Sequence, residues 1–178
     1  MTTLTRPWKV LFISGSLFLF SAWAASQEAG TVTMNGQIID TACTIDVGSR
    51  EQVVELGVLP VGVIRQQGKG PTRTVDIQLV NCNLVKDSDP TQVWQGLRVT
   101  FEGTADNGLF QVFGEARGVG LYLQDEAARQ VLPGQISAEP TFIPLNMRLR
   151  YQLRLVTDNR PLRAGHYQSA IRFKLDYD

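Results

Sequence analysis

Apolar and polar residues alternate one by one through several stretches of the chain. In Thr74–Val80 the positions Val75, Ile77 and Leu79 alternate with Asp76 and Gln78, and Leu97–Phe101 repeats the pattern before Glu102-Gly103. Gly118–Asp125 sets Val119, Leu121 and Leu123 on one side. Arg148–Leu155 sets Leu149, Tyr151, Leu153 and Leu155 against Arg148, Arg150, Gln152 and Arg154. A two-residue period is the signature of a strand with one face in a core and the other in water. Turn formers separate these stretches, among them Gly68–Pro71, Asp87–Pro90, Asp106-Asn107-Gly108, Pro133-Gly134 and Asp158–Pro161. Helical periodicity is nearly absent. Roughly seven short strands with frequent turns predict an all-β, antiparallel sandwich. Cys82 falls out of phase with Val75, Ile77 and Leu79; a bulge near Asn81 or use of the other face would each account for it.

The two ends of the chain pose complementary problems. From Tyr167 to Tyr177 the alternation of Tyr167, Ser169, Ile171, Phe173, Leu175 and Tyr177 predicts one more strand, one residue before the end. A half-buried strand there needs a neighbour on each side or it leaves an open edge. Near the other end, Gly30, Val32 and Met34 alternate with Thr31, Thr33 and Asn35. Gly36 interrupts this short strand, and a second is expected from Gln37 through Ile38 and Ile39 to Cys43. One strand lacks a neighbour and another lacks a home. Donation of the N-terminal strand to another copy would satisfy both, and a head-to-tail contact of that kind propagates into a filament.

The chain has 178 residues and 17 basic against 17 acidic side chains, with no basic cluster that would point to nucleic acid. Arg6 and Lys9, the apolar run Val10–Phe20 and the small residues of Ala22–Ala24 read as a secretory leader over residues 1–24. The apolar run is shorter than the ~20 residues a membrane-spanning helix needs. Export to an oxidising compartment favours a disulfide between Cys43 and Cys82. His166 is the only histidine, sits in the turn before the last strand, and has no ligand-spaced partner. No metal, cofactor or catalytic site is therefore expected.

The chain resembles the pilin subunits of bacterial fimbriae assembled by the chaperone–usher pathway, over essentially all of its length after the leader. The matching stretches are GTVTMNGQIIDTACTI at the start, Leu56-Gly57, VDIQLVNC into Cys82, VTFEG, GVGLYLQD and the closing AGHYQSAIRFKLDYD. The family's terminal signature is a glycine fourteen residues from the end and a penultimate aromatic residue; these fall on Gly165 and Tyr177.

The resemblance implies an incomplete immunoglobulin-like sandwich that lacks its last strand. It implies a donor-strand extension over residues 25–36, with Gly30, Val32 and Met34 on the inserting face, and a pilin domain over residues 37–178. The groove would lie beside Tyr167–Tyr177, lined by Ile171, Phe173, Leu175 and Tyr177. A periplasmic chaperone would fill it first and anchor the carboxylate of Asp178. At the outer-membrane usher the extension of the next subunit would take its place. The product would be a surface fimbria contributing to cell adhesion. Position in the fibre stays open between a minor or structural subunit and a base terminator, and a single-domain receptor-binding pilin is a further alternative.

Overall fold

The computed structural model describes residues 31–137 and 147–178. The leader (residues 1–24) and Gly30 lie outside them. The chain divides into two compact units, Met1–Gln37 and Ile38–Asp178. Of the first, residues 31–37 are described; they carry no strand, and Val32 and Met34 are exposed.

The second unit contains the strands β1 (Thr44–Ile45), β2 (Arg73–Val80), β3 (Leu97–Glu102), β4 (Ala105–Asp106), β5 (Leu109–Gln111) and β6 (Phe113–Gly114). These are followed by β7 (Val119–Asp125), β8 (Gln130–Val131), β9 (Met147–Thr157), β10 (Tyr167–Gln168) and β11 (Arg172–Tyr177). The larger sheet has the order β1-β2-β9-β7-β5-β4, with β8 against β7. The strand β9 lies at its centre, antiparallel to β2 on one side and β7 on the other. A second layer is built from β3 and β11, paired in register from Arg172 opposite Glu102 to Tyr177 opposite Leu97. A short pair, β6 with β10, stands beside them.

Alternation decides which side chains meet between the layers. Ile77 and Leu79 of β2, Leu121 and Leu123 of β7, and Tyr151, Leu153 and Leu155 of β9 are buried on the inner face of the large sheet. They face Leu97, Val99 and Phe101 of β3 in one apolar cluster. The rings of Phe101 and Tyr151 meet edge to face with centroids 4.5 Å apart, a favoured aromatic geometry. On the outer face of the large sheet Arg150 forms a bidentate pair with Asp76, and Arg154 lies over the ring of Tyr122.

Four sequence expectations are corrected. The strand expected from Gln37 to Cys43 is absent: Ile38 and Ile39 are exposed, and pairing begins only at Thr44, opposite Val80. The strand expected over Tyr167–Tyr177 is split, because β10 pairs with β6 whereas β11 pairs with β3. Two helices were not anticipated, α1 (Val47–Arg50) and α2 (Val61–Gln67). Asp46 caps α1 by accepting from the Gly48 amide, and Gly68 ends α2 in the left-handed conformation. Finally, Cys82 is not in a strand. The strand β2 stops at Val80, and Asn81 with φ 54° turns the chain so that Cys82 reaches Cys43. Asparagine tolerates that conformation better than most residues, so no bulge is needed.

Candidate functional site: an apolar groove beside β11

The strand β9 uses both of its edges; β11 uses one. Among the described residues β11 pairs only with β3, and its other edge has no ladder partner. Across from that edge runs the segment between α1 and α2, residues 52–59. None of its backbone groups takes part in a backbone–backbone hydrogen bond among the described residues. It is held instead by side chains: the Arg73 Nε donates to the Glu55 carbonyl, and the Gln52 Nε2 donates to the carbonyl of Asp76. Leu56 and, in α2, Ile64 pin it to the core. Unpaired backbone is stable only where water or another chain can reach it.

Between this segment and β11 lies a groove of about 1180 Å³. Its floor is apolar, formed by Phe101, Leu121, Leu123, Leu153 and Leu155. The volume exceeds the roughly 300–1,000 Å³ usual for small-molecule sites. Two facing backbones without ladder partners among the described residues, above an apolar floor, are the chemistry that accepts an extended peptide strand.

Gly165, Tyr167, Ile171 and Phe173 line this groove. Leu175 and Tyr177 lie beyond its lining. Leu175 pairs with Val99 and packs on the core. The ring of Tyr177 meets Trp94 edge-on with centroids 5.9 Å apart, and its hydroxyl donates to the Cys43 carbonyl at 3.4 Å. Burial pushes the Tyr177 phenol up, partly offset by that hydrogen bond, and burial also pushes the Tyr167 phenol up. Among the described residues the buried Tyr167 hydroxyl has no hydrogen-bond partner. At Asp178 a main-chain oxygen accepts from the Gln95 amide at 2.6 Å, and the side chain pairs with Arg98 at 3.3 Å. Cys43 and Cys82 are joined in a disulfide. Among the described residues no group of three or more His, Cys, Asp or Glu side chains is placed to hold a metal ion.

Two features were missed at the sequence level. One is the groove wall at residues 52–59, whose signal is the short alternation of Val54 and Leu56 with Glu55, stopped by Pro60. The other is Ile38. It continues the alternation of Val32 and Met34 past Gly36, and the three apolar side chains are 101%, 81% and 87% exposed.

An antiparallel sandwich with one strand position vacant is the architecture of an incomplete immunoglobulin-like domain. No family model matches the chain. It is 30% identical over 159 residues to the Fimbria A protein of Serratia marcescens, covering 86% of this chain and 87% of that protein. It is 28% identical over 153 residues to the PRS fimbrial minor pilin protein of Escherichia coli, covering 84% of this chain and 77% of that protein. Among solved structures, the P pilus rod subunit PapA superposes with a TM-score of 0.69 at 20% identity, over 78% of this chain and all of that one. A chain in a chaperone–usher pilus gives a TM-score of 0.68 at 21% identity, over 85% of this chain and 97% of that one. The chain belongs to the fimbrial pilin family, and its fold is that of the pilus subunits it superposes on.

Proposed function

We propose that this pilin is polymerised by donor-strand exchange and contributes to adhesion as a minor or structural subunit of its fimbria. The observation that carries this reading is the groove: among the described residues, an edge of β11 without a ladder partner faces segment 52–59, which makes no backbone–backbone hydrogen bond, across an apolar floor. The N-terminal segment supplies a matching donor. By their spacing Val32, Met34 and Ile38, with Gly36 between them, would share one face of an extended strand, and all three are exposed. Gly30 begins the same alternation. Burying a large apolar side chain is worth roughly 1.5–3 kcal/mol, so three of them in a neighbour's groove, with a ladder of main-chain hydrogen bonds, favour a long-lived fibre contact.

The same energetics explain why an empty groove needs protection. A free edge above exposed apolar surface is a template for aggregation. A periplasmic chaperone would cover it until the outer-membrane usher presents the next subunit's extension. The open groove supports an accepting subunit over a base terminator.

The test uses residues 25–178 produced in the periplasm with and without the cognate chaperone. A synthetic peptide of residues 25–39 is then added to the purified chaperone complex. Recovery only with the chaperone, followed by displacement to a markedly more stable subunit, is the expected result. If the complex forms but no donor peptide displaces the chaperone, a terminator is the better reading. A well-folded monomer without any chaperone would overturn the missing-strand reading.

A further inference from the structure

One wall of the groove is a loop with little apolar anchorage. Between β9 and β10 the residues from Asn159 to His166 are exposed except for Leu162, which is half-buried. Yet Leu162, Arg163, Ala164, Gly165 and His166 all line the groove. Apolar packing is too sparse here to fix the loop, so polar anchors must.

Those anchors are continuous. The Asp158 amide donates to the Gly118 carbonyl at 3.1 Å. Arg117 and Arg163 exchange a reciprocal pair of backbone hydrogen bonds, each 3.1 Å. The amides of Glu115 and Ala116 both donate to the His166 carbonyl. The loop thus zips along the chain between β6 and β7. The close approach needs glycine at two places. A Cβ on Gly118, where φ is 80°, would stand 2.7 Å from the Pro161 carbonyl oxygen; one on Gly165 would stand 2.8 Å from the Ala116 nitrogen. Gly165 is the terminal-signature glycine, and this contact gives it a physical reason.

At the far side of the loop sits a three-residue ionic cluster. Asp158 is 8% exposed. Its carboxylate accepts from the Arg160 amide and from the Arg160 Nε, both at 2.9 Å. The Arg160 guanidinium also donates from Nη2 to Asp158 and to Asp106 in β4. A planar guanidinium with several fixed donors can bridge two carboxylates in this way; a lysine cannot reproduce the fork.

We propose that Arg160, held between Asp158 and Asp106, is a positioning residue for strand uptake: it fixes the loop that walls one end of the groove, so that the groove is shaped before a donor strand arrives. The proposal rests on the donor-strand reading above. A preorganised acceptor loses less conformational freedom when the strand enters, which appears as faster and tighter uptake.

The test compares Arg160→Ala and Arg160→Lys with a control, Arg150→Ala, which breaks the ion pair to Asp76 on the outer face of the large sheet. Two quantities are read on the purified chaperone complex: amide hydrogen exchange at residues 115–118 and 163–167, and the rate at which the 25–39 peptide displaces the chaperone from the groove. Loss of charge-assisted hydrogen bonds should raise exchange and slow uptake by about tenfold for Arg160→Ala. Arg160→Lys should recover only part of this, and the control should leave both readouts unchanged. Asp106→Asn removes one arm of the cluster and serves if Arg160→Ala fails to fold; an intermediate effect on both readouts is expected. Unchanged exchange at the loop, or an equal change in the control, overturns the proposal. If exchange rises as expected but the wild type takes up no peptide at all, the donor-strand reading fails and the uptake role falls with it.

Discussion

The strands β9 and β11 carry the same alternating pattern and meet opposite fates. β9 is enclosed by β2 and β7, and Tyr151, Leu153 and Leu155 are buried on its inner face. Among the described residues β11 is enclosed on one side only, and Ile171, Phe173 and Leu175 stay partly exposed although they pack on the same core. A two-residue period reports that one face of a strand is apolar. It does not report how many neighbours the strand has, because ladder hydrogen bonds are made by the backbone, which is the same in every residue but proline. In a closed sandwich the two strands would be energetically alike. Here the difference between them is the open groove.

Three perturbations separate the closed side from the open side. The largest is loss of the disulfide. Cys43 and Cys82 close a loop of 39 residues, and the chain-entropy relation assigns such a loop about 4 kcal/mol. Replacing both by serine should lower the denaturant midpoint by a similar free energy whether or not the groove is filled, because the bond ties the start of β1 to the end of β2. Equal loss in both states supports the division; a loss confined to the filled state breaks it.

Next come two truncations on opposite sides. Ile77 is fully buried in β2, and Ile77→Ala should cost about 2–5 kcal/mol in both states. Phe173 is only partly buried, so Phe173→Ala should cost clearly less in the unfilled subunit and approach the cost of a buried aromatic once a donor peptide covers it. Chemical denaturation of both variants, stripped of chaperone in denaturant and refolded at once with or without the 25–39 peptide, gives the four numbers. Phe173→Ala with the same cost in both states would show that the donor does not reach that part of the groove.

The smallest effect concerns acid. Burial pushes the Asp158 carboxyl up, but its hydrogen bonds from the Arg160 side chain and backbone, with the nearby guanidinium charge, outweigh this and hold it below its ordinary value of 3.8. A lowered native pKa means that its contribution is fully present above the unfolded value and fades as pH falls through the native one. Asp158→Asn should therefore cost about 1–2 kcal/mol near neutrality, at the low end because Arg160 is half exposed. That difference should shrink well below pH ~4. An unchanged difference in strong acid would mean that the charge on Asp158 contributes nothing.

Much of the fold was legible because long strands with one wet face write their period into the chain. β2, β3, β7 and β9 lie within one or two residues of the alternating stretches. The short elements were not legible. α2 buries only Ile64 and has no repeated apolar face to betray it, although Pro60 before it and Gly68 after it are ordinary boundary signals. The wall at residues 52–59 was also hidden, since an extended segment that forms no ladder looks like a loop. The split of Tyr167–Tyr177 into β10 and β11 follows from a change of partner, which periodicity does not record.

By itself the sequence determined the all-β class, the faces of the long strands, the two cysteines available for pairing and the presence of an N-terminal apolar alternation ahead of the domain. These depend on local period and composition. Only the tertiary structure decided that the groove runs between β11 and residues 52–59, that Tyr177 turns away to Trp94 and the Cys43 carbonyl, and that Arg160 ties the loop beside the groove to β4. These depend on which distant segments share an edge. A vacancy between two backbones is a property of neither segment alone.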